Sequence, residues 1–204
     1  MKAKLLDEYN IVVVGVGGQG LLTLAGAIAR AALEHGYEVR AAELHGLSQR
    51  FGSIETSLRF GKNIYSPIVR QASADLVIAL EPAEAIKACY YASQKTAFLL
   101  DTKPIVPNIM YQEGIEYPSI DEIKARINIF SKKIITVNAS EDTKALTGST
   151  IQANIYLLGR AASEGLIPLK KEWLIKGIEE VVPPATVEAN KKVFEAGWRS
   201  KFNF

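Results

Sequence analysis

The apolar positions near the N-terminus predict a strand, a helix and a second strand in close succession. Residues 10–15 (NIVVVG) form a continuous apolar run rich in β-branched side chains, which is typical of a strand buried on both faces. Residues 21–34 are rich in alanine and leucine and predict a helix, which Gly36 follows in the position of a C-terminal glycine. Residues 37–42 predict the second strand, so the three elements describe a βαβ unit.

The pattern changes after this unit. Residues 43–53 (ELHGLSQRFGS) are polar and have no period, which predicts a loop. Residues 53–60 alternate between apolar and polar side chains, as expected of a half-buried strand. Gly61, Lys62 and Asn63 then predict a turn into a short strand at 64–65, so we expect a β-hairpin inserted at this point.

The rest of the chain predicts three more buried strands and a series of helices. Ser119 and Glu122 form a capping-box pattern, and Pro104 and Pro107 mark a connection without regular structure. The predicted strands are 75–80, 96–101 and 134–138, and the predicted helices are 82–92, 119–130, 141–146, 150–164, 170–181 and 186–196. Together these elements predict one α/β domain over residues 1–204. It would have a mostly parallel sheet with helices on both faces, a Rossmann-like start, the inserted hairpin and a helical C-terminal part from about residue 141.

Composition excludes several classes of protein. Hydrophobic residues make up 48% and charged residues 23% of the chain, which is typical of a globular protein. The formal net charge of +2 gives no reason to expect a nucleic acid or an anionic membrane as partner. No apolar run approaches the ~20 residues of a membrane span, and the charged N-terminus lacks the apolar core of a signal peptide. We therefore expect a cytoplasmic protein.

The cysteine and histidine content limits the chemistry further. The chain has one cysteine, Cys89, and two histidines, His35 and His45. It can form no intrachain disulfide, which suits a reducing compartment, and it cannot ligate a four-cysteine iron–sulfur cluster or a cysteine-rich zinc site. Any redox metal would lie on another chain. Cys89 falls in a predicted helix, so we interpret it as a buried apolar residue.

A glycine-rich turn is the first candidate site. The sequence GVGGQG at 15–20 matches G-x-G-x-x-G between a strand and a helix, where a turn can approach a phosphate closely. Two interpretations stay open, a phosphate or dinucleotide site and a turn that serves only packing. No G-K-[ST] follows, which excludes a P-loop. The candidate cofactor-binding residues are Gly15, Gly17, Gly18, Gln19, Gly20 and, as an acid near the expected ribose position, Glu43.

The loop after the second strand is the other candidate site, for a substrate or for a partner interface. Loops held on a rigid sheet are where binding residues concentrate, and a guanidinium can grip a carboxylate or phosphate in two places. Arg50 is therefore the strongest candidate, and a solvated surface arginine is the alternative interpretation. The residues of this loop with hydrogen-bonding or conformational roles are His45, Gly46, Ser48, Gln49 and Arg50. We expect no catalytic residue and no metal ligand on this chain.

The motifs together resemble a known family. GVGGQG, VRAAELHGLSQRFGS, SLRFGKNIYSP and ADLVIALEPAEAI follow one another in this order. This order is similar to the gamma-type subunit or domain of 2-oxoacid:ferredoxin oxidoreductases, most of all the beta subunit of the indolepyruvate type. The resemblance extends from Asn10 to Gly197. Phe51 departs from it, because relatives commonly have glycine there.

The resemblance implies an accessory subunit of a hetero-oligomeric enzyme. Such enzymes decarboxylate a 2-oxo acid oxidatively, convert coenzyme A to an acyl thioester and pass two electrons singly to ferredoxin. It also implies that thiamine diphosphate and the iron–sulfur clusters lie on a larger partner subunit, with coenzyme A as cosubstrate and none of these cofactors bound by this chain alone. The alternatives are a free-standing NAD(P)-binding protein of dinucleotide fold and a non-enzymatic nucleotide-binding module.

Overall fold

A computed structural model describes residues 6–45 and 52–200, and within these ranges six strands form one sheet. The strand order is β2-β3-β1-β4-β5-β6. β1, β4, β5 and β6 are mutually parallel, while β3 runs antiparallel to both of its neighbours, β1 and β2. The strands are β1 (Glu8–Val16), β2 (Glu38–His45), β3 (Ser53–Gly61), β4 (Leu76–Ala79), β5 (Ala97–Asp101) and β6 (Lys133–Val137).

Helices follow most of the strands and fill the C-terminal part, as expected from the sequence. The Ser119 hydroxyl accepts a hydrogen bond from the Glu122 N–H and the Glu122 carboxylate accepts one from the Ser119 N–H, which confirms the capping box. In the described part of the chain no helix is both long and apolar enough to cross a membrane. The helices are α1 (Leu21–Glu34), α2 (Glu84–Lys87), α3 (Asn108–Glu113), α4 (Ile120–Ile127), α5 (Ala139–Thr147), α6 (Ala153–Ser163), α7 (Lys171–Val181) and α8 (Val187–Arg199).

Apolar side chains fill two layers, one on each face of the sheet. Successive side chains of a strand point to opposite faces. Ile11 and Val13 of β1 accordingly pack with the layer formed by α1, α6, α7 and α8. Val12 and Val14 pack with the layer formed by α2 and α4. This arrangement explains why β1 is apolar at consecutive positions, and it confirms an α/β fold with helices on both faces.

The inserted antiparallel strand is present, but the predicted hairpin position is wrong. β3 pairs with β2, with His45 opposite Ile54 and Glu38 opposite Gly61, and on its other side β3 pairs with β1. Both edges of β3 are therefore occupied, which leaves residues 64–65 no free edge on that strand. They have no regular structure. The predicted loop at 43–53 is also shorter at its start, because β2 continues to His45.

Helices α6 and α8 approach each other at two glycines. A Cβ atom on Gly159 of α6 would lie 2.1 Å from the carbonyl oxygen of Phe194 in α8. A Cβ atom on Gly197 of α8 would lie 2.1 Å from the carbonyl oxygen of Tyr156 in α6. Since real Cβ atoms do not approach an oxygen so closely, the backbones of the two helices are in direct contact only because both positions lack a side chain.

Candidate functional site

The glycine-rich turn lies between β1 and α1 and is held by contacts to two other motifs. The Gly17 N–H donates to the Gly52 carbonyl at 3.1 Å, which places the start of β3 directly beside the turn. The Gln19 side-chain amide donates to the Leu80 carbonyl at 2.7 Å, just after β4 ends. The turn therefore occupies the carboxyl end of β1, in the position where ligands bind in open α/β sheets.

Gln19 uses its side chain to close the turn. Its Oε1 accepts the Val16 N–H at 2.8 Å, while its Nε2 donates to Leu80. A Cβ atom on Gly15 would lie 2.6 Å from this Oε1, so glycine at position 15 makes room for the amide. Gln19, one of the predicted cofactor-binding residues, thus connects the ends of β1 and β4, and it also lines the adjacent cavity.

Two glycines of the turn adopt the left-handed conformation. Gly18 has a φ of 96° and Gly20 a φ of 75°. Gly20 is also crowded, because an added Cβ would lie 2.5 Å from Nδ2 of Asn154, which donates to the Gly20 carbonyl at 2.9 Å. Asn154 is only 3% exposed. Sequence reasoning missed Asn154, which lies in α6, far from the turn along the chain.

A cavity of about 440 Å³ opens beside the turn. Its walls include Gly17–Gln19, Lys103–Ile105 after β5, and Ser149–Ile151 before α6. Asp101 and Ser140 also line it. The cavity wall therefore contains the glycine-rich turn, one lysine and three hydroxyl side chains, of which that of Ser140 donates to Asp101. Lysine and hydroxyl donors of this kind suit a phosphate group.

Asp101 is a buried acid in this cavity wall. It is 1% exposed at the end of β5 and accepts hydrogen bonds from the N–H of Ser140, at 3.2 Å to Oδ2, and from the Ser140 hydroxyl. Burial raises the pKa of Asp101 and these hydrogen bonds oppose that rise. Because Asp101 already occupies the N-terminus of α5, a bound anion would depend on the glycine-rich turn, on Lys103 and on the Ser149–Ile151 segment.

Glu43 lies apart from the glycine-rich turn. It sits in β2 opposite Thr56, and it lines a second cavity of about 320 Å³ together with Leu22 and Ala25 of α1. In a dinucleotide-binding fold the acid ends the strand next to β1. Here β3 separates β2 from β1, so the structure does not bring Glu43 together with the turn.

The structure describes only the two ends of the other candidate site, the loop after β2. His45 is the last residue of β2, opposite Ile54, and the chain is described again from Gly52. Gly46, Ser48, Gln49 and Arg50 lie outside the described residues, so their roles stay predictions. The contact between Gly52 and Gly17 places the C-terminal end of this segment at the turn. Ser53 then donates to the Glu84 carboxylate at 2.5 Å, which links β3 to the LEPAEA motif.

Cys89 is buried, as predicted. It is 6% exposed, and its thiol donates to the Ala85 carbonyl at 3.7 Å. Burial raises the pKa of this thiol to about 11, which keeps it protonated and unreactive at neutral pH.

Sequence reasoning missed the acids at the ends of β4 and β5. Glu81 and Asp101 each follow a buried apolar run directly, in the sequences DLVIALE and AFLLD. Because the carboxyl ends of parallel strands meet at one edge of the sheet, this repeated position could have identified both acids. Lys103 and the Ser149–Ile151 segment give no comparable local signal.

Comparison with known proteins identifies the family. Residues 10–200 match the model of the pyruvate ferredoxin/flavodoxin oxidoreductase family. The chain belongs to this family. Its relatives include the indolepyruvate oxidoreductase subunit IorB of Thermococcus kodakarensis, 36% identical over 94% of this chain and 95% of the relative. IorB of Archaeoglobus fulgidus is 38% identical over 94% of each chain. The family recognised from the sequence is thus confirmed, and with it the role of accessory subunit in a ferredoxin-dependent 2-oxoacid oxidoreductase.

Solved structures agree with this assignment. The gamma subunit of a keto/oxoacid ferredoxin oxidoreductase from Geobacter sulfurreducens superposes with a TM-score of 0.64 at 25% identity, over 94% of both chains. A 2-oxoglutarate:ferredoxin oxidoreductase from Magnetococcus marinus, 17% identical, shares the fold with a TM-score of 0.70 over 94% of this chain and 30% of its own. The same fold therefore occurs both as a separate subunit and as part of a longer chain.

Proposed function

We propose that this accessory subunit belongs to an oxidoreductase for indolepyruvate or a related aryl pyruvate. The observation that carries the proposal is the 36% and 38% identity to IorB subunits over nearly the full length of both chains. In the reaction proposed, the 2-oxo acid loses carbon dioxide, coenzyme A becomes an acyl thioester, and two electrons pass singly to ferredoxin. Ferredoxin contacts the holoenzyme in the cytoplasm, and neither a nucleic acid nor a membrane takes part.

The thiamine diphosphate and the iron–sulfur clusters belong, in this proposal, to a larger partner subunit. The chain's own residues support that division, because a single cysteine cannot ligate a four-cysteine cluster. When bound in the partner, thiamine diphosphate would supply an electron sink for decarboxylation, and the protein around it would supply orientation and shielding. The accessory subunit then contributes binding and positioning rather than a reacting group.

The cavity beside the glycine-rich turn is the proposed contact for a phosphate of coenzyme A. The Gly18 N–H, the Thr150 hydroxyl and the Lys103 ammonium are the proposed donors, and the cavity of about 440 Å³ suits part of a ligand of that size. The Lys103 ammonium lies 3.7 Å from the exposed Glu141 carboxylate, from which a phosphate would draw it. Arg50 lies in the segment that ends beside the turn and is the proposed second anion contact. The NAD(P)-binding alternative gains no support, since β3 separates Glu43 from the turn.

Reconstitution with the larger subunit tests the proposed activity. The chain alone should be colourless and should not reduce a viologen dye, whereas the complex should reduce the dye with coenzyme A and indolepyruvate, phenylpyruvate or 4-hydroxyphenylpyruvate. Pyruvate and 2-oxoglutarate serve as comparison substrates under the same conditions. Turnover by the chain alone would contradict the accessory role, and a preference for pyruvate or 2-oxoglutarate would contradict the substrate class.

Substitution of Lys103 tests the proposed coenzyme A contact. Lys103→Met in the complex should raise the KM for coenzyme A by about tenfold to 150-fold, because a hydrogen bond to a charged group contributes roughly 1.5–3 kcal/mol. Lys62→Met is the matched control, since Lys62 pairs with Asp7 at the opposite end of the sheet. An unchanged KM for coenzyme A in Lys103→Met, equal to that of the control, would remove the cavity from the proposal.

A further inference from the structure

A buried carboxylate at the end of β4 gathers hydrogen bonds from both ends of one long connection. Residues 102–118 link β5 to α4 and are called the crossover segment here. Glu81, only 2% exposed, accepts the Ile105 N–H at 3.3 Å through Oε1, near the start of the segment. The same Oε1 accepts the hydroxyl of Tyr117, near its end. Oε2 accepts the Glu84 N–H at 3.0 Å.

Three donors share the two oxygens of the Glu81 carboxylate. Burial raises the pKa of Glu81, while the hydrogen bonds from Tyr117, Glu84 and Ile105 oppose the rise. The Tyr117 hydroxyl in turn accepts the Ala83 N–H at 3.0 Å. A donor that loses its acceptor away from water is costly. The three hydrogen bonds to Glu81 therefore stabilise the observed positions of Ile105, Tyr117 and Glu84.

Glu81 also stands next to the residue that holds the glycine-rich turn. The Leu80 carbonyl accepts from the side chain of Gln19, and the following residue, Glu81, holds the backbone of Ile105. The two sides of the 440 Å³ cavity are thus fixed to two consecutive residues at the end of one strand. Any shift of the crossover segment would change the width of the cavity at Lys103–Ile105.

We propose that Glu81 is a positioning residue, which sets the distance between the glycine-rich turn and the Lys103–Ile105 wall by holding both ends of the crossover segment. The consequence for coenzyme A rests on the function proposed above, whereas the position of the wall does not. Glu81 contacts neither substrate nor cofactor in this proposal. It acts through Lys103 and Ile105.

Replacement by methionine removes the carboxylate and keeps an unbranched side chain of similar length. A thioether is only a weak acceptor, so the Ile105 N–H, the Glu84 N–H and the Tyr117 hydroxyl all lose their partner in Glu81→Met. Glu84→Met is the matched control, because Glu84 accepts from Ser53 and Lys87 and its side chain holds no residue of the crossover segment. Tyr117→Phe is a second variant. It removes the hydrogen bond between Glu81 and the C-terminal end of the crossover segment and keeps the one between Glu81 and Ile105.

Hydrogen exchange in the reconstituted complex measures the position of the wall directly. Glu81→Met should accelerate exchange of the amides in 103–107 by about tenfold or more, and Glu84→Met should leave them unchanged. Tyr117→Phe should accelerate exchange in 114–118 and leave 103–107 unchanged. Wild-type exchange of 103–107 in Glu81→Met would overturn the proposal. If that variant fails to assemble, wild-type exchange of 114–118 in Tyr117→Phe would overturn it.

Steady-state kinetics separates positioning from a merely structural role. Glu81→Met should raise the KM for coenzyme A about fivefold or more, with kcat at saturation within about twofold of the wild type. An unchanged KM in Glu81→Met, in a complex where Lys103→Met does raise it, would overturn the role of Glu81 in binding. If Lys103→Met also leaves the KM unchanged, the proposed coenzyme A contact fails, and the exchange measurement alone decides the proposal for Glu81.

Discussion

Substitution of Gly20 by alanine tests the geometry of the glycine-rich turn. Alanine at a φ of 75° costs about 1–2 kcal/mol of backbone strain. The new Cβ would also stand 2.5 Å from Nδ2 of Asn154 and would displace the amide from the Gly20 carbonyl. A lost buried hydrogen bond adds roughly 1–3 kcal/mol. Gly20→Ala should therefore lower the free energy of unfolding by about 2–5 kcal/mol, which urea titration followed by circular dichroism measures.

The control is Gly36→Ala at the end of α1. Gly36 has a φ of 87°, but an added Cβ would meet no heavy atom within 4 Å, so only the backbone strain applies. The difference between the two variants isolates the contact with Asn154. Asn154→Ala combined with Gly20→Ala should then cost less than the sum of the single changes, because the clash is removed. Equal losses for Gly20→Ala and Gly36→Ala would refute this account of the turn.

Three further expectations concern other parts of the molecule. Ellman's reagent at pH 8 should react with Cys89 only after unfolding in urea, since its thiol is buried and has a pKa of about 11. Gly159→Ala should lower stability by about 2 kcal/mol or more through its clash with the Phe194 backbone. Gly26→Ala, whose Cβ would lie 3.3 Å from Cγ1 of Val181, should stay within about 1 kcal/mol of the wild type by urea titration, because the higher helix propensity of alanine offsets the tight contact. Because burial raises the pKa of Asp101, the folded chain keeps a proton that the unfolded chain releases above about pH 4, so this contribution to stability is lost as pH rises through the folded pKa. Asp101→Asn should accordingly flatten the fall in unfolding free energy from pH 4 upward, measured by urea titration at each pH.

The elements that the sequence predicts well are those with a strong local pattern. β1 is a continuous run of apolar β-branched residues, and it is found as a strand buried on both faces. α1 is confirmed at Leu21–Glu34, between the turn and Gly36. The capping box at Ser119 is likewise local, since its two hydrogen bonds join residues three apart. In each case the signal lies in residues that are neighbours along the chain.

The errors lie where distant residues decide the structure. The segment 82–92 was predicted as one helix, but α2 ends at Lys87 and a 3-10 turn follows at Ala88–Tyr91. There the carbonyls of Tyr90 and Tyr91 accept hydrogen bonds from Ala72 and Ala74 instead of continuing a helix. α3 at Asn108–Glu113 was missed because the prolines before it indicated an irregular connection, although Pro107 is its N-terminal cap residue.

The candidate site likewise has one part that a local motif predicts and another part that depends on contacts between distant residues. The glycine-rich turn follows from its motif, because left-handed backbone at Gly18 and Gly20 requires the glycines that the motif contains. Pairing Glu43 with that turn required β2 to lie next to β1, and the position of β3 between them depends on hydrogen bonds between distant strands. Lys103 lies in the connection after β5. Its position in the cavity wall depends on contacts between residues far apart in the sequence, such as the hydrogen bond from Ile105 to Glu81.

β2 is an edge of the sheet, which matters for a subunit made separately from its partner. β2 pairs with β3 on one side, and in the described part of the chain no strand pairs with its other side. A free edge can add a strand from another molecule and begin aggregation, and charged side chains on the edge oppose this. Glu38 and Arg40 lie on β2 and are exposed. Surface engineering for expression or crystallisation should therefore keep both charges.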